Sequence, residues 1–242
     1  MFPYMTMSAQ RWLWACLTMF GVISSVSAQV RVADSLQLLL KKSTDPKEQV
    51  DLMNDISYRL YDFNDSLALD YAKHAYELAL GINYTRGLKS AYNKLGIGYF
   101  AKGDFREALR QYQNSLSIKV DLSEEDDAYS LQMIGKLKYE LAEYDSALFF
   151  YKRALALPGV SSDAKRTSTL YRNMAQVLLM QWKNEEAFEL LKKAEALLTE
   201  SSPDDAYLFA ELWTLLGIYY ETKLDFKNSE IFYNKMCALA NK

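Results

Sequence analysis

The sequence predicts an all-α protein: a right-handed α-α superhelix of about five helical hairpins. Three observations carry that expectation. Small residues at Ser57, Gly96, Gly135, Ala175 and Gly217 follow one another at intervals of 39, 39, 40 and 42 residues. Each is paired with a second small residue, Ala68, Ala108, Ala147, Ala187 or Ser229, which follows 12 positions later in four copies and 11 in the first. The third is that apolar residues recur at helical spacing with no convincing strand alternation, and that Gly and Pro are scarce. A period on this scale is the mark of an array of stacked units.

The elements follow in order. Residues 1–28 read as a signal peptide: Arg11 is their single charge, Trp12 to Val26 is an apolar run too short to span a bilayer comfortably, and Val26-Ser27-Ala28 offers small residues for cleavage before Gln29. An uncleaved anchor is the alternative. Leu13-Trp14-Ala15-Cys16 does not continue as a lipoprotein signal would, because apolar sequence runs on past Cys16. The protein is therefore expected to be exported, periplasmic or secreted. Residues 29–45 form an extension with a short helix over 32–42.

The array then divides into units at about 46–81, 84–120, 123–158, 161–200 and 202–242. Asp45-Pro46-Lys47-Glu48 opens the first with an N-cap, a Pro at N1 and a Glu at N3 that would close a capping box. Ser202-Pro203-Asp204-Asp205 repeats that logic before the last unit. Ser123-Glu124-Glu125-Asp126 places acid at a helix start, a solvated run that complements the dipole. Gly81 and Leu157-Pro158-Gly159 read as helix ends.

Within each unit the small residue of the first helix lets the second approach closely, and Ala108, Ala147, Ala187 and Ser229 reciprocate. A third small position, at Ala75, Ser115, Ala154 and Ala194, follows on the same face, and Met236 replaces it in the last copy. Tyr92, Leu131, Tyr171 and Trp213 are expected to fill the volume left by the small residues.

Tyr92, Leu95, Gly96, Tyr99, Ala108, Tyr112 and Ser115, together with Trp213, Leu216, Gly217, Tyr220, Ser229 and Tyr233, resemble the tetratricopeptide repeat. The resemblance covers residues 46–242. The spacing departs from that family's period of about 34, which implies longer linkers or helix ends.

Composition excludes several classes of function. The formal charge of −3 becomes −4 once Arg11 leaves with the leader, and charges of both signs are interspersed, so there is no basic footprint for nucleic acid. Cys237 alone would remain after cleavage, leaving no internal disulfide. His74, the one histidine, has no Cys or His at ligand spacing, so no metal is expected. Cys237 has no base partner. Gly96-Ile97-Gly98 lies inside a helix and cannot cradle phosphate. No catalytic constellation and no cofactor site is read, and an enzyme is not expected. Asp34-Ser35-Leu36 resembles an O-glycosylation triplet; Asp65-Ser66-Leu67 and Asp145-Ser146-Ala147 read better as helix caps.

The resemblance implies that the first helix of each repeat lines a concave groove. Carried over by register, the groove would be lined by Asn54, Tyr58 and Tyr61; Asn93, Ile97 and Phe100; Gln132, Lys136 and Tyr139; Arg172, Gln176 and Leu179; and Thr214 and Ile218. Amides, aromatics and two cations suit a peptide or protein segment. Asn93, Lys136, Arg172 and Asn173 do not reproduce the family's carboxylate clamp. Arg172→Glu with Lys136→Glu would weaken binding without lowering stability. The reading is of a non-catalytic interaction scaffold or adaptor in the cell envelope, with a sensory input module detached from its output domain as the alternative. The last helix ends the array with Ile231, Phe232 and Leu239, apolar residues expected to form an edge for self-association or partner docking.

Overall fold

The computed structural model describes residues 32–61, 64–119, 124–199 and 205–240. The expected leader, residues 1–28, lies outside the described residues. Those described form helices only, with no strand among them. After α1 (32–42) come five hairpins: α2 (Pro46–Leu60) with α3 (Asp65–Gly81), α4 (Thr85–Ala101) with α5 (Phe105–Ser117), and α6 (Glu124–Glu140) with α7 (Tyr144–Leu155). A one-turn helix, α8 (Pro158–Ser161), leads into α9 (Ala164–Met180) with α10 (Asn184–Ala196), and α11 (Ala206–Thr222) with α12 (Phe226–Ala240) closes the array. Each second helix packs on the next hairpin, and α2, α4, α6, α9 and α11 lie side by side along one face. Ala33, Leu36 and Leu40 of α1 pack on the first hairpin through Ile56, Leu60 and Ala68.

The small residues sit where the period places them, since Ala68, Ala108, Ala147 and Ala187 are fully buried. What fills the space beside the glycines differs from expectation. A Cβ on Gly135 would lie 2.6 Å from Cε1 of Tyr151, and one on Gly96 or Gly217 would strike Tyr112 or Tyr233 in the same way. The ring that fills the gap comes from the second helix of the same hairpin, 16 residues on, rather than from Tyr92, Leu131 or Trp213 on the first. A helix carrying glycine presents bare backbone, and a flat ring covers it at contact distance. Between hairpins the device recurs with an aliphatic partner: a Cβ on Gly98 would lie 2.7 Å from Leu69 Cδ1.

The turns inside hairpins 2 to 5 share one geometry. Gly103, Ala142, Trp182 and Leu224 occupy corresponding positions at φ 75°, 57°, 59° and 59°. Each is followed by a residue whose N–H returns to the carbonyl five residues back, as in Asp104 to Tyr99 at 2.9 Å and Glu143 to Lys138 at 2.8 Å. This is the Schellman ending, which glycine adopts without cost and which costs an L side chain about 1–2 kcal/mol. Only the second hairpin uses glycine.

Several local expectations change. Gly81 is the last residue of α3, and Asn83, at φ 54°, takes the left-handed conformation in its place. Asp45 caps α2 through Lys47 N at 3.0 Å, but the carboxylate of Glu48 receives the Ser43 hydroxyl instead of closing a capping box. Ser202 to Asp204 lie outside the described residues. Asp205 precedes α11 without capping it; its carboxylate accepts the Thr199 N–H at 3.1 Å and pairs with Lys165 at 2.8 Å. The Lys165 ammonium, and then the Thr199 amide, hold its carboxyl below the usual carboxylate range. Pro158 starts α8 rather than merely ending α7, and Val160 in that turn is buried.

The largest revision concerns the acidic run at the start of α6. Lys89 of α4 is fully buried, and its ammonium spends all three protons: on Asp127 Oδ1 at 2.6 Å, Ile118 O at 2.8 Å and Ser115 O at 3.1 Å. One cation thus joins the carbonyl end of α5, whose dipole favours positive charge, to Asp127, whose carboxylate complements the dipole at the start of α6. Asp126 is tied in as well, with Oδ1 3.3 Å from Asn93 Nδ2. Asp126 and Asp127 are thus part of a seam between hairpins, whereas Glu125 keeps the solvated place expected at a helix start. Lys89→Met keeps the apolar stem but strands Asp127 and two carbonyls. It should cost about 3 kcal/mol, the low end for breaking a buried pair because Asp127 is partly open to water; a urea melt would show the lowered midpoint.

Candidate partner-binding groove

Four of the five first helices, α2, α6, α9 and α11, border one cleft along their shared face. It has a volume of about 990 Å³ and runs from Tyr58, Arg59 and Tyr61 in the first hairpin to Tyr207, Leu208 and Glu211 in the last. Gln132, Lys136 and Tyr139 of α6, with Thr169, Arg172 and Gln176 of α9, form its middle. A second cleft of about 460 Å³ continues from it past Lys94, Tyr129 and Leu170, and the two share Tyr58, Gln132, Thr169 and Leu208. The superhelix is therefore wound tightly enough for the first and fifth hairpins to border the same space.

Polar groups in the cleft hold one another in place. Arg172 pairs with Glu211 and donates to Asn173 Oδ1 at 2.9 Å; Tyr207 Oη donates to Glu211 Oε1 at 2.8 Å. Gln176 Nε2 donates to Tyr139 Oη at 3.2 Å. Lys136 is exposed and lies 5.0 Å above the Phe100 ring. The Lys94 ammonium lies 4.7 Å from the Tyr58 ring centre and 5.7 Å from that of Tyr129. Burial pulls its pKa down, against the opposing influence of Asp126, Asp55 and Glu125. Burial likewise lowers the Arg172 guanidinium and raises the Asp126 carboxyl and the Tyr139 phenol.

The structure sorts the sequence-predicted residues into two groups. Tyr58, Gln132, Lys136, Tyr139, Arg172 and Gln176 meet in the cleft. Asn54, Asn93 and Ile97 do not, because they are buried in the seams between hairpins. Asn54 Nδ2 donates to Gly87 O at 3.2 Å across the first seam. Asn93 is gripped from α6, with Ser130 Oγ 2.6 Å from its Oδ1. Phe100 borders the cleft only through Lys136. Lys94, Tyr129, Thr169, Tyr207, Leu208 and Glu211 were missed. They continue the i, i+3/i+4, i+7 stripe one turn toward the start of α6, α9 and α11, or flank it on α4, and carrying the stripe to the helix starts would have found Tyr129, Thr169 and Leu208.

At the expected C-terminal edge, Ile231 is exposed while Phe232 stacks on Tyr220 at 5.5 Å, so half of that apolar surface is already used. The Leu239 side chain lies outside the described residues. His74 is exposed, and no group of three or more His, Cys, Asp or Glu able to hold a metal occurs among the described residues. Cys237 is half-buried and burial pushes its thiol up, away from a reactive thiolate.

These hairpins, stacked with their first helices inward, define a helical-repeat solenoid of the tetratricopeptide type. Residues 87–158, spanning hairpins 2 and 3, match the tetratricopeptide repeat family model. Among solved structures the chain is similar to BtubC (BKLC) from P. vanneervenii, at 18% identity and a TM-score of 0.67 over 88% of this chain and 89% of that one. It is similar to aspartyl phosphate phosphatase F from Bacillus subtilis, at 17% identity and a TM-score of 0.64 over 92% and 69%. It also resembles MamA from Desulfovibrio magneticus RS-1, at 18% identity and a TM-score of 0.53 over 82% and 98%. At such identities the likeness is one of fold. No curated protein matches the chain.

The ion pair in the cleft overturns one sequence expectation. Arg172→Glu places a carboxylate beside Glu211 in a largely buried setting and should cost about 3 kcal/mol, whereas Lys136→Glu gives up only an exposed cation–π contact worth about 0.5–1 kcal/mol. Thermal melts of the two single variants separate them.

Proposed function

We propose that this chain is a non-catalytic protein-interaction module that holds an extended peptide or protein segment along its concave groove. The observation that carries the proposal is the continuous cleft, bordered by first helices from both ends of the array and lined by tyrosines, amides and both signs of charge. Tyrosine gives large rigid contact area at little entropic cost, and the amides give hydrogen bonds that adapt to a main chain. Arg59, Lys136 and Glu140 border the cleft without an ion pair among the described residues, which leaves them for a partner. The leader-like residues 1–28 support a site of action in the cell envelope, where the partner would be another envelope protein.

A photo-reactive amino acid at Gln132, in the shared floor of both clefts, tests the reading in cells that carry the native chain's partners. A discrete cross-linked species should form from position 132 and not from the exposed control Lys152 on α7. Adding Lys136→Glu should cut its yield several-fold. Equal yields from both positions would contradict groove binding.

A further inference from the structure

The groove leaves tyrosine faces and hydrogen-bond donors open, while most of its acceptors are spent inside the fold. Tyr58, Tyr61, Tyr129, Tyr139 and Tyr207 line the two clefts. The tyrosines most open to solvent among the described residues are Tyr58 and Tyr207, 46% and 70% exposed. Both border the larger cleft, one from the first hairpin and one from the last. Rings left in water on a concave face are apolar area that a partner can bury.

The polar groups divide unevenly. Glu211 accepts from Arg172 and Tyr207, Asn173 Oδ1 from Arg172 and Tyr139 Oη from Gln176. Asp126 accepts from Asn93, and Glu125 pairs with Arg166. Glu140 and the side-chain carbonyls of Gln132 and Gln176 are left to accept. On the donating side, Arg59, Lys94 and Lys136 have neither an ion pair nor a hydrogen bond among the described residues. The Lys94 ammonium rests against the rings of Tyr58 and Tyr129 instead of an acceptor. Three unpaired cations thus stand against one unpaired carboxylate.

We propose that the segment held in the groove is a proline-rich chain in the extended polyproline conformation, a proposal that rests on groove binding and names the chemistry of its partner. Proline has no N–H, and its ring is a rigid apolar face. A polyproline helix makes no internal hydrogen bonds, so its carbonyls are free to accept. Such a chain brings rings and acceptors with almost no donors, which complements a groove of tyrosine faces and donors. It is also ordered before it binds, so little conformational entropy is lost. An ordinary extended peptide brings an N–H with every carbonyl and would leave many of them unpaired against spent acceptors. An acidic segment would meet the three cations, but it would face Glu125, Asp126 and Glu140 in the same clefts and leave the rings uncovered.

Calorimetric titration of the purified protein tests this with oligoproline, a Gly-Ser peptide of the same length and an acidic peptide of the same length. Oligoproline should bind several-fold more tightly than either of the others. Tyr58→Ala and Tyr207→Ala should each weaken it several-fold, with thermal midpoints near that of the parent because both rings are exposed. Tyr58→Phe and Tyr207→Phe keep the ring and should bind oligoproline as the parent does. The proposal is overturned if oligoproline binds no more tightly than the Gly-Ser peptide, if the acidic peptide binds more tightly than oligoproline, or if both alanine variants keep the parent's affinity. The cross-link from position 132 separates the two levels. If it forms while oligoproline fails to bind, groove binding stands and the proline proposal falls; if neither occurs, both fall.

Discussion

The constraint on which the rest depends is the contact between a ring on the second helix and bare backbone on the first. Tyr112 on Gly96, Tyr151 on Gly135 and Tyr233 on Gly217 set how closely the two helices of each hairpin approach. Tyr112 and Tyr151 are buried at these contacts, and burial pushes both phenols well up. A side chain on the first helix would push the ring out, and a smaller residue on the second would leave a void that the packed interior cannot close. Because the same contact recurs in three hairpins, their shapes are alike, and like shapes stack into a regular superhelix. The groove follows from that regularity: similar first helices, set side by side, turn the same register positions inward.

Stacking needs a second set of contacts, and here the array is less regular. The first seam uses Asn54 on the Gly87 carbonyl, the second uses the Lys89–Asp127 pair and the Asn93–Ser130 contact, and the fourth uses the Lys165–Asp205 pair at 2.8 Å. Each polar group finds its partner on the next hairpin, so satisfaction of buried groups depends on correct stacking. Repeat arrays hold together by nearest-neighbour terms, and in this chain those terms carry chemistry specific to each junction.

That division explains what could be read from the sequence. Spacing of small residues is a local property of the chain, so the hairpins, their order and most helix bounds follow from it. The fate of an individual amide is not local. Asn93 and Gln132 hold the same place relative to Tyr92 and Leu131, yet Asn93 is buried because α6 supplies Asp126 and Ser130 against it, while Gln132 stays open to the cleft. Lys89 and Asp127 lie 38 residues apart, and nothing in the local pattern marks them as partners. The turn strain at Trp182 and Leu224 was invisible for the opposite reason: only the backbone angle shows that a position suited to glycine holds something else.

The central claim, that ring-on-backbone contact fixes the hairpin, is tested most directly by a double-mutant cycle at the third hairpin. Gly135→Ala, Tyr151→Leu and the pair together would be melted in urea. The account predicts that the two changes compensate, since the shorter side chain makes room for the added methyl, with an interaction energy of at least about 1 kcal/mol. Strict additivity of the two single changes would contradict it.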